Sequence, residues 1–120
     1  MGMISRYLER LAARLRGRRP GSPAVSADAQ GLRIGGHSIA WREVRGLEAF
    51  KRDAYVGDCL CLAILGADGR VFEISEASPG WAEAGAAIER YLAGSMAHAQ
   101  WMLRLIAAEP GQSVAIYPAA

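Results

Sequence analysis

The chain has 120 residues, of which 52% are hydrophobic and 22% are charged, as is usual for one globular domain. No apolar run approaches the roughly 18 residues that a membrane-spanning helix needs. The two cysteines, separated by one residue, offer no disulfide framework, so nothing in the composition calls for an oxidising compartment.

The net charge of +2 conceals an uneven distribution of charge. Residues 1–20 contain six arginines and one glutamate and sum to +5, so residues 21–120 sum to −3. One end of the chain is therefore basic and the body is not. A block of like charge often marks a segment that contacts a partner or an anionic surface.

The basic segment has the spacing of an amphipathic helix from about residue 4 to 16. One stripe is apolar and a second is basic: Ile4, Leu8, Leu11 and Leu15, and Arg6, Arg10 and Arg14. Gly17 and Pro20 would end this helix, and the sequence RRPGSP that follows favours a linker. We predict a basic amphipathic helix over 1–19, a linker over 20–23 and a folded domain over 24–120.

The pattern changes to short strands after the linker. Two turn signals, Asp28–Gly31 and Gly35–Gly36, divide the segment up to Trp41 into three strands. A fourth strand is predicted over about 45–52. DCLCLAIL and RVFEISE then form a hairpin around Asp68-Gly69, the strongest hairpin signal in the chain.

The helical period returns after ASPG. Ser78 is a suitable N-cap and Pro79 suits the first helical position, so a helix is predicted to about Ala93. A second helix is predicted from about 96 to 108, followed by a last strand, SVAIY. The second helix should bury four side chains: Trp101, Met102, Leu105 and Ile106. Strands grouped ahead of helices predict an α+β fold with a mostly antiparallel sheet.

Several segments resemble a group of small uncharacterised bacterial proteins with a pleckstrin-homology-like (PH-like) fold. The resemblance lies mainly in Trp41 to Asp53 and in Glu76-x-x-Pro79-Gly80-Trp81, with DCLCLAIL and Trp101 beside them. It covers about residues 24–117 and implies a PH-like partial barrel of six to seven short strands with C-terminal helices. It also implies a noncatalytic role, and it carries no active-site residues. The basic N-terminal helix departs from the group.

The spacing of the two cysteines is compatible with a metal site. Cys59 and Cys61 point to the same face of a strand, but a closed zinc site needs four ligands. The remaining soft ligands, His37 and His98, are far apart in sequence. Since free cysteine packs well as a small hydrophobic residue, we interpret both as parts of a strand that is apolar on its two faces, and predict no metal.

The acidic residues offer no readable catalytic pattern. Asp53 and Asp58 flank AYVG, and Glu73 and Glu76 lie close along the chain. Such pairs can act as acid and base when they are buried together, but turns and strand edges place acids in the same way. No nucleophile–base pair stands out, so we predict a protein that is not an enzyme and has no cofactor.

Three tryptophans with nearby cations raise the possibility of a nucleic-acid surface. Acidic residues interleave with the cations, however, and Trp81 and Trp101 fall on the apolar faces of the predicted helices. Core positions are the favoured interpretation for both, and no nucleic-acid partner is predicted. The contacts of such a surface would be Trp41, Trp81 and Trp101 with Arg42, Arg45, Lys51 and Arg52, and the interleaved acids are Glu43, Glu48 and Asp53.

The N-terminal helix is the strongest functional signal. Its contact residues would be Arg6, Arg10 and Arg14 with Leu8, Leu11 and Leu15. They suit docking on the chain's own domain, on a second copy, on a protein partner or on an anionic membrane. We predict a noncatalytic binding or regulatory module, of immunity or accessory type, that acts through protein–protein contact with a partner or as a homodimer. The alternative is a peripheral membrane module anchored by this helix. The predicted location is the cytoplasm, in the alternative at the inner membrane surface.

Overall fold

The structure, a computed structural model, describes residues 22–53 and 58–118. The predictions for the N-terminal helix and its six contact residues lie outside this part. The elements in chain order are β1 (Val25–Ala27), β2 (Gly31–Ile34), β3 (His37–Ala40), a 3-10 turn (Trp41–Glu43), β4 (Val44–Asp53), β5 (Asp58–Gly66), β6 (Val71–Ser75), α1 (Trp81–Tyr91), α2 (His98–Ala107) and β7 (Ser113–Tyr117).

Two antiparallel sheets carry the seven strands of the described residues. β1, β2 and β3 form one sheet in that order, and the other has the order β6-β5-β4-β7. The predicted order of strands and helices is confirmed within this part, and so is the α+β class with antiparallel pairing. Asp68-Gly69 forms the predicted turn, with Gly69 at φ 86° and the Asp68 carboxylate accepting from the Arg70 amide at 3.0 Å.

One core joins both sheets and both helices. Leu47, Leu62 and Ile64 line the inner face of the four-stranded sheet, and Trp101 and Leu105 of α2 pack against the same cluster. The three-stranded sheet contributes Leu32, Ile34 and Ile39 to this cluster, while α1 contributes Ala84 and Ile88.

The opposite side of the four-stranded sheet is a second, mixed surface, which we call the outer face. Ala63 on β5 lies between Glu48 on β4 and Glu73 on β6, while Cys61 pairs with Ser75. Since alternate residues of a strand share a face, these side chains point away from the core. The outer face comprises Glu48, Arg52, Cys61, Ala63, Glu73 and Ser75.

The start of α1 differs from the prediction. Gly80, not Ser78, holds the N-cap position, and it has φ 92°. The Val25 amide donates to the Pro79 carbonyl at 2.8 Å, and a Cβ on Gly80 would collide with the Val25 carbonyl. β1 therefore approaches this turn so closely that only glycine fits. Ser78 instead accepts a hydrogen bond from the Ser75 amide at 3.0 Å.

The prediction for Ile106 was also wrong. Trp101 and Leu105 are 1% and 0% exposed and set the direction of the buried side of α2. Ile106 follows Leu105 by one residue, about 100° around the helix, and is 58% exposed. The apolar stripe in the sequence is thus wider than the surface that α2 buries.

Two leucines on α2 provide a matched test of this packing. Leu105→Ala removes a side chain that is 0% exposed and should lower the free energy of unfolding by about 2–5 kcal/mol. Leu103→Ala, at a position that is 70% exposed, should change it by less than about 0.5 kcal/mol. Urea unfolding monitored by tryptophan fluorescence measures both. Equal losses would contradict the placement of α2.

Candidate functional site

The cysteines lie in the interior, as the sequence predicts. Cys61 is 1% exposed and Cys59 is partly buried. Burial raises the pKa of the Cys61 thiol, and electrostatic interactions with Cys59 and Glu73 raise it further. A thiol in this environment stays protonated and unreactive. Within the described residues, no group of three or more histidine, cysteine, aspartate or glutamate side chains is arranged to hold a metal.

The acidic residues do not converge. Glu73 pairs with Arg52 at 2.8 Å and is 15% exposed, while its Oε2 atom is buried without a hydrogen bond among the described residues. Burial raises the pKa of Glu73, and Arg52 opposes this shift. Glu76 accepts from the Leu60 amide at 3.1 Å, and Asp58 is exposed. The side chain of Asp53 lies outside the described part. Glu73, Glu76 and Asp58 therefore lie in separate surroundings and do not form a shared acidic site.

Each histidine contacts an aromatic ring, although His37 is exposed and His98 is partly buried. The His37 ring tilts against Phe72 at 5.7 Å between centroids. The His98 ring lies 5.1 Å from Trp101, and a Cβ on Gly85 would collide with it. Gly85 thus provides the space on α1 into which the His98 ring fits.

The tryptophans provide no stacking platform for nucleic-acid bases. Trp41 donates its Nε1 hydrogen to the Asp28 carbonyl at 2.8 Å and stacks on Tyr91 at 6.0 Å. Trp81 meets Trp101 edge to face at 6.1 Å. The three rings belong to the core or pack against it, which agrees with the core interpretation.

A groove lies between α2 and the edge of β7 that has no strand beside it among the described residues, and we call it the helix–strand groove. Its volume is about 480 Å³, within the range of ligand and peptide clefts. The Met96 amide donates to the Ile116 carbonyl at 2.8 Å and closes the edge of β7 at one end. The groove is lined by Ser95, Met96, Ala97, Gln100, Arg104, Ser113, Val114 and Ala115.

The helical wall of this groove is polar and cationic. Gln100 and Arg104 are four residues apart on α2, so they lie on one side of the helix, and both are exposed. Among the described residues, no acidic side chain lines the groove. Sequence reasoning missed this site because it depends on β7 being an edge strand, which only the sheet order reveals.

A smaller cavity of about 240 Å³ lies beside β2 and β3. Two of its lining side chains are engaged: Arg33 pairs with Asp28 at 2.8 Å, and Glu43 accepts from the Ala40 amide at 2.9 Å.

Comparisons of the chain with family models, curated proteins and solved structures gave no match. Among the residues that the structure describes, no helix has the length and apolar character to cross a membrane.

The pKa of Glu73 gives a pH-dependent test. Because burial raises the pKa above its ordinary value of 4.5, the folded chain holds the proton more tightly than the unfolded chain. Protonated Glu73 therefore contributes its full stabilisation below pH 4.5, and this stabilisation is lost as the pH rises through the raised pKa. Because glutamine cannot ionise, the unfolding free energy of Glu73→Gln minus that of the wild type should increase between pH 4 and 7. Chemical unfolding at each pH measures this difference. Exposed Glu83 on α1 is the control, and a similar gain in Glu83→Gln would contradict the assignment.

Proposed function

We propose that the protein is a noncatalytic binding module that takes up an extended segment of a protein partner in the helix–strand groove. The observation that carries this proposal is the position of β7. It is the last strand of the four-stranded sheet, and the groove runs along its free edge at Ser113–Ala115. An edge strand exposes backbone donors and acceptors that a further strand can pair with.

Addition of a partner strand would use both walls of the groove. Main-chain hydrogen bonds to β7 would supply affinity, and the side chains on α2 would supply selectivity. Within the described part of the chain, Arg104 has no ion pair and no acid lines the groove that it faces. An acidic side chain or a terminal carboxylate on the incoming segment would therefore be favoured opposite Arg104. Small apolar residues would suit the part of the groove lined by Ala97 and Val114.

The chemistry of the remaining candidates supports a noncatalytic role. The Cys61 thiol is buried and its pKa is raised. Glu73 is committed to Arg52, and His98 is packed against Trp101. None of these groups lines the helix–strand groove. Contact with a partner is the function that this arrangement supports best.

The fold proposal goes one step further than the α+β class. We propose that the two sheets and the helices after them form a PH-like partial barrel. Antiparallel strands that precede α1 and α2 support this assignment, and so does the shared core between the two sheets. The membrane-anchored alternative and homodimer formation depend on the N-terminal residues and stay predictions.

A peptide-binding experiment tests the proposal. Full-length protein is used to select from a phage-displayed library of random linear peptides, and synthetic versions of the enriched peptides are titrated by calorimetry. Arg104→Glu should weaken their binding by about tenfold or more, because a charge-assisted contact is replaced by repulsion. Arg90→Glu is the matched control, since Arg90 is an exposed arginine on α1 outside the groove.

Amide exchange locates the contact independently. A bound peptide should slow hydrogen exchange at 113–115 while leaving β3 unchanged. Absence of saturable binding, equal affinity in Arg104→Glu, or protection confined to another surface would contradict the proposal.

A further inference from the structure

α2 lacks a cap of its own at its C-terminal end. The last carbonyl groups of an α-helix find no partner within the helix, and a left-handed glycine after the helix commonly satisfies them. In α2 the C-cap residue is Ala108, whose backbone is extended at φ −72° and ψ 152°. Its amide donates to the Leu105 carbonyl at 3.1 Å, so the carbonyl groups that follow need donors from another element.

Lys51 on β4 provides these donors. Its ammonium donates to the carbonyl of Ile106 and to the carbonyl of Ala108, each at 2.6 Å. A positive charge at this place is also favoured by the helix dipole, whose negative end lies there, and a charged donor makes a stronger hydrogen bond than a neutral one. Lys51 is the only lysine in the chain, and it joins β4 to the end of α2 across 55 and 57 residues of sequence.

The alternation of β4 explains why a lysine stands at this place. Leu47 and Ala49 belong to the buried core, and Lys51 shares their face of the strand because alternate residues point the same way. Among the described residues of β4, none beyond Ala49 belongs to the core cluster. β4 therefore meets the last turn of α2 with a charge and not with an apolar side chain.

The other end of α2 is held in the corresponding way. The Glu89 carboxylate of α1 accepts from the His98 amide at 2.6 Å, which places a negative charge at the positive end of the helix dipole. Between these two contacts, the buried residues of α2 are Trp101 and Leu105. Charged side chains from two other elements thus fix the ends of a helix that buries two of its own side chains.

These contacts also fix the direction of α2 along the helix–strand groove. At the beginning of α2, the Met96 amide donates to the Ile116 carbonyl near the end of β7. At the end of α2, Lys51 follows Phe50, which pairs with Ser113 at the start of β7. α2 therefore runs antiparallel to β7, and its last turn lies at the Ser113 end of the groove.

Arg104 belongs to the part of α2 that Lys51 holds. It precedes Ile106 by two residues, which is about 3 Å along the helix axis, and its exposed side chain lines the groove. A displacement of the last turn would move the guanidinium relative to the edge of β7. Hydrogen bonds weaken steeply when their distance and angle change, so the contact that Arg104 can offer depends on where this turn is held.

We propose that Lys51 is a positioning residue of the helix–strand groove. It fixes the last turn of α2 and thereby holds Arg104 at the Ser113 end, where Arg104 selects a carboxylate on the incoming segment. This role depends on the function proposed above, and it adds a direction to it. The acidic residue of the partner lies at the Ser113 end of the groove and not at the end that Met96 closes.

Hydrogen exchange of the full chain without any ligand tests the anchor. Lys51→Met keeps the length of the side chain and removes both donors, so the amides of 106–108 should exchange about tenfold faster or more. Lys51→Arg restores a charged donor, and Arg90→Met is the control for loss of an exposed cation on α1. Both should stay within about threefold of the wild type. Unchanged exchange in Lys51→Met would contradict the anchor, and so would an equal acceleration in β2, which would indicate general destabilisation.

Chemical modification of the wild type gives a second measurement in case Lys51→Met does not fold. Reductive methylation with formaldehyde and a borohydride places two methyl groups on the Lys51 nitrogen, which keeps its charge but leaves one N–H donor. Exchange at 106–108 should then rise by about threefold or more relative to untreated protein. Lys51→Arg treated in the same way is modified at the α-amino group alone and should not change. Equal exchange in treated and untreated wild type would contradict the anchor.

Peptide selectivity separates positioning from a purely structural role. Each peptide selected on the full-length protein is titrated beside the same peptide with its acidic residue replaced by the corresponding amide. The wild type should prefer the acidic peptide by about tenfold. Lys51→Met should reduce this preference to about threefold or less, while Lys51→Arg and Arg90→Met should keep it. A loss of stability alone would weaken both peptides equally, and an unchanged preference in Lys51→Met would overturn the positioning role.

The direction of the partner has its own readout. A nitroxide attached beside the acidic residue of the peptide should broaden the amide resonance of Ser113 more than that of Met96. The reverse order would contradict the direction.

Failure of this role and failure of the proposed function are distinguishable. Absence of saturable peptide binding would overturn the proposed function, and the positioning role with it. Binding that retains its full acidic preference in Lys51→Met, or unchanged exchange at 106–108, would overturn the positioning role alone and leave the helix–strand groove as a binding site.

Discussion

Burial of strand β5 on both of its sides is the constraint on which the fold depends. Leu62 and Ile64 belong to the core shared by the two sheets and the helices, while Cys61 and Ala63 point the opposite way and are equally inaccessible. β5 is also flanked on both edges by β4 and β6. A strand enclosed in this way cannot serve as a reactive surface, and every neighbouring element must supply cover. Both helices and the three-stranded sheet do so on the side of the shared core.

The Arg52–Glu73 pair shows how charge is accommodated under such cover. Both side chains are partly withdrawn from water, at 31% and 15% exposure, and they meet at 2.8 Å. Partial burial disfavours the charged carboxylate, which is why the pKa of Glu73 is raised despite the adjacent arginine. Such a pair adds little net stability, but removal of one partner leaves a poorly hydrated charge. The main energetic role of the pair is therefore that neither charge is left unpaired.

Local signals were sufficient to predict the elements of the described part but not their relations. Alternation in β4, the Asp68-Gly69 turn and the two helical stripes each act over a few residues, so the sequence displays them directly. The N-cap at Gly80 and the exposure of Ile106 depend on β1 and on the packing of Trp101, which are distant in the chain. The helix–strand groove depends on β7 joining the sheet beside β4, more than sixty residues away from its partner strand. Tertiary contacts decided each of these points, and a single sequence carries no direct record of them.

These relations also explain why the candidate site residues of the sequence do not form one site in the structure. A strand places residues i and i+2 on one face, so Cys59 and Cys61 suggest a paired site when only the strand is considered. The sheet adds Glu73 and Arg52 beside them but no further soft ligand, and burial keeps Cys61 protonated. The helix–strand groove lies at the far edge of the same sheet, where β7 has no further strand beside it and Arg104 no acid opposite it among the described residues. The enclosed centre and the edge at β7 are therefore separate parts of one sheet, so the proposed recognition of a partner strand would not disturb the core.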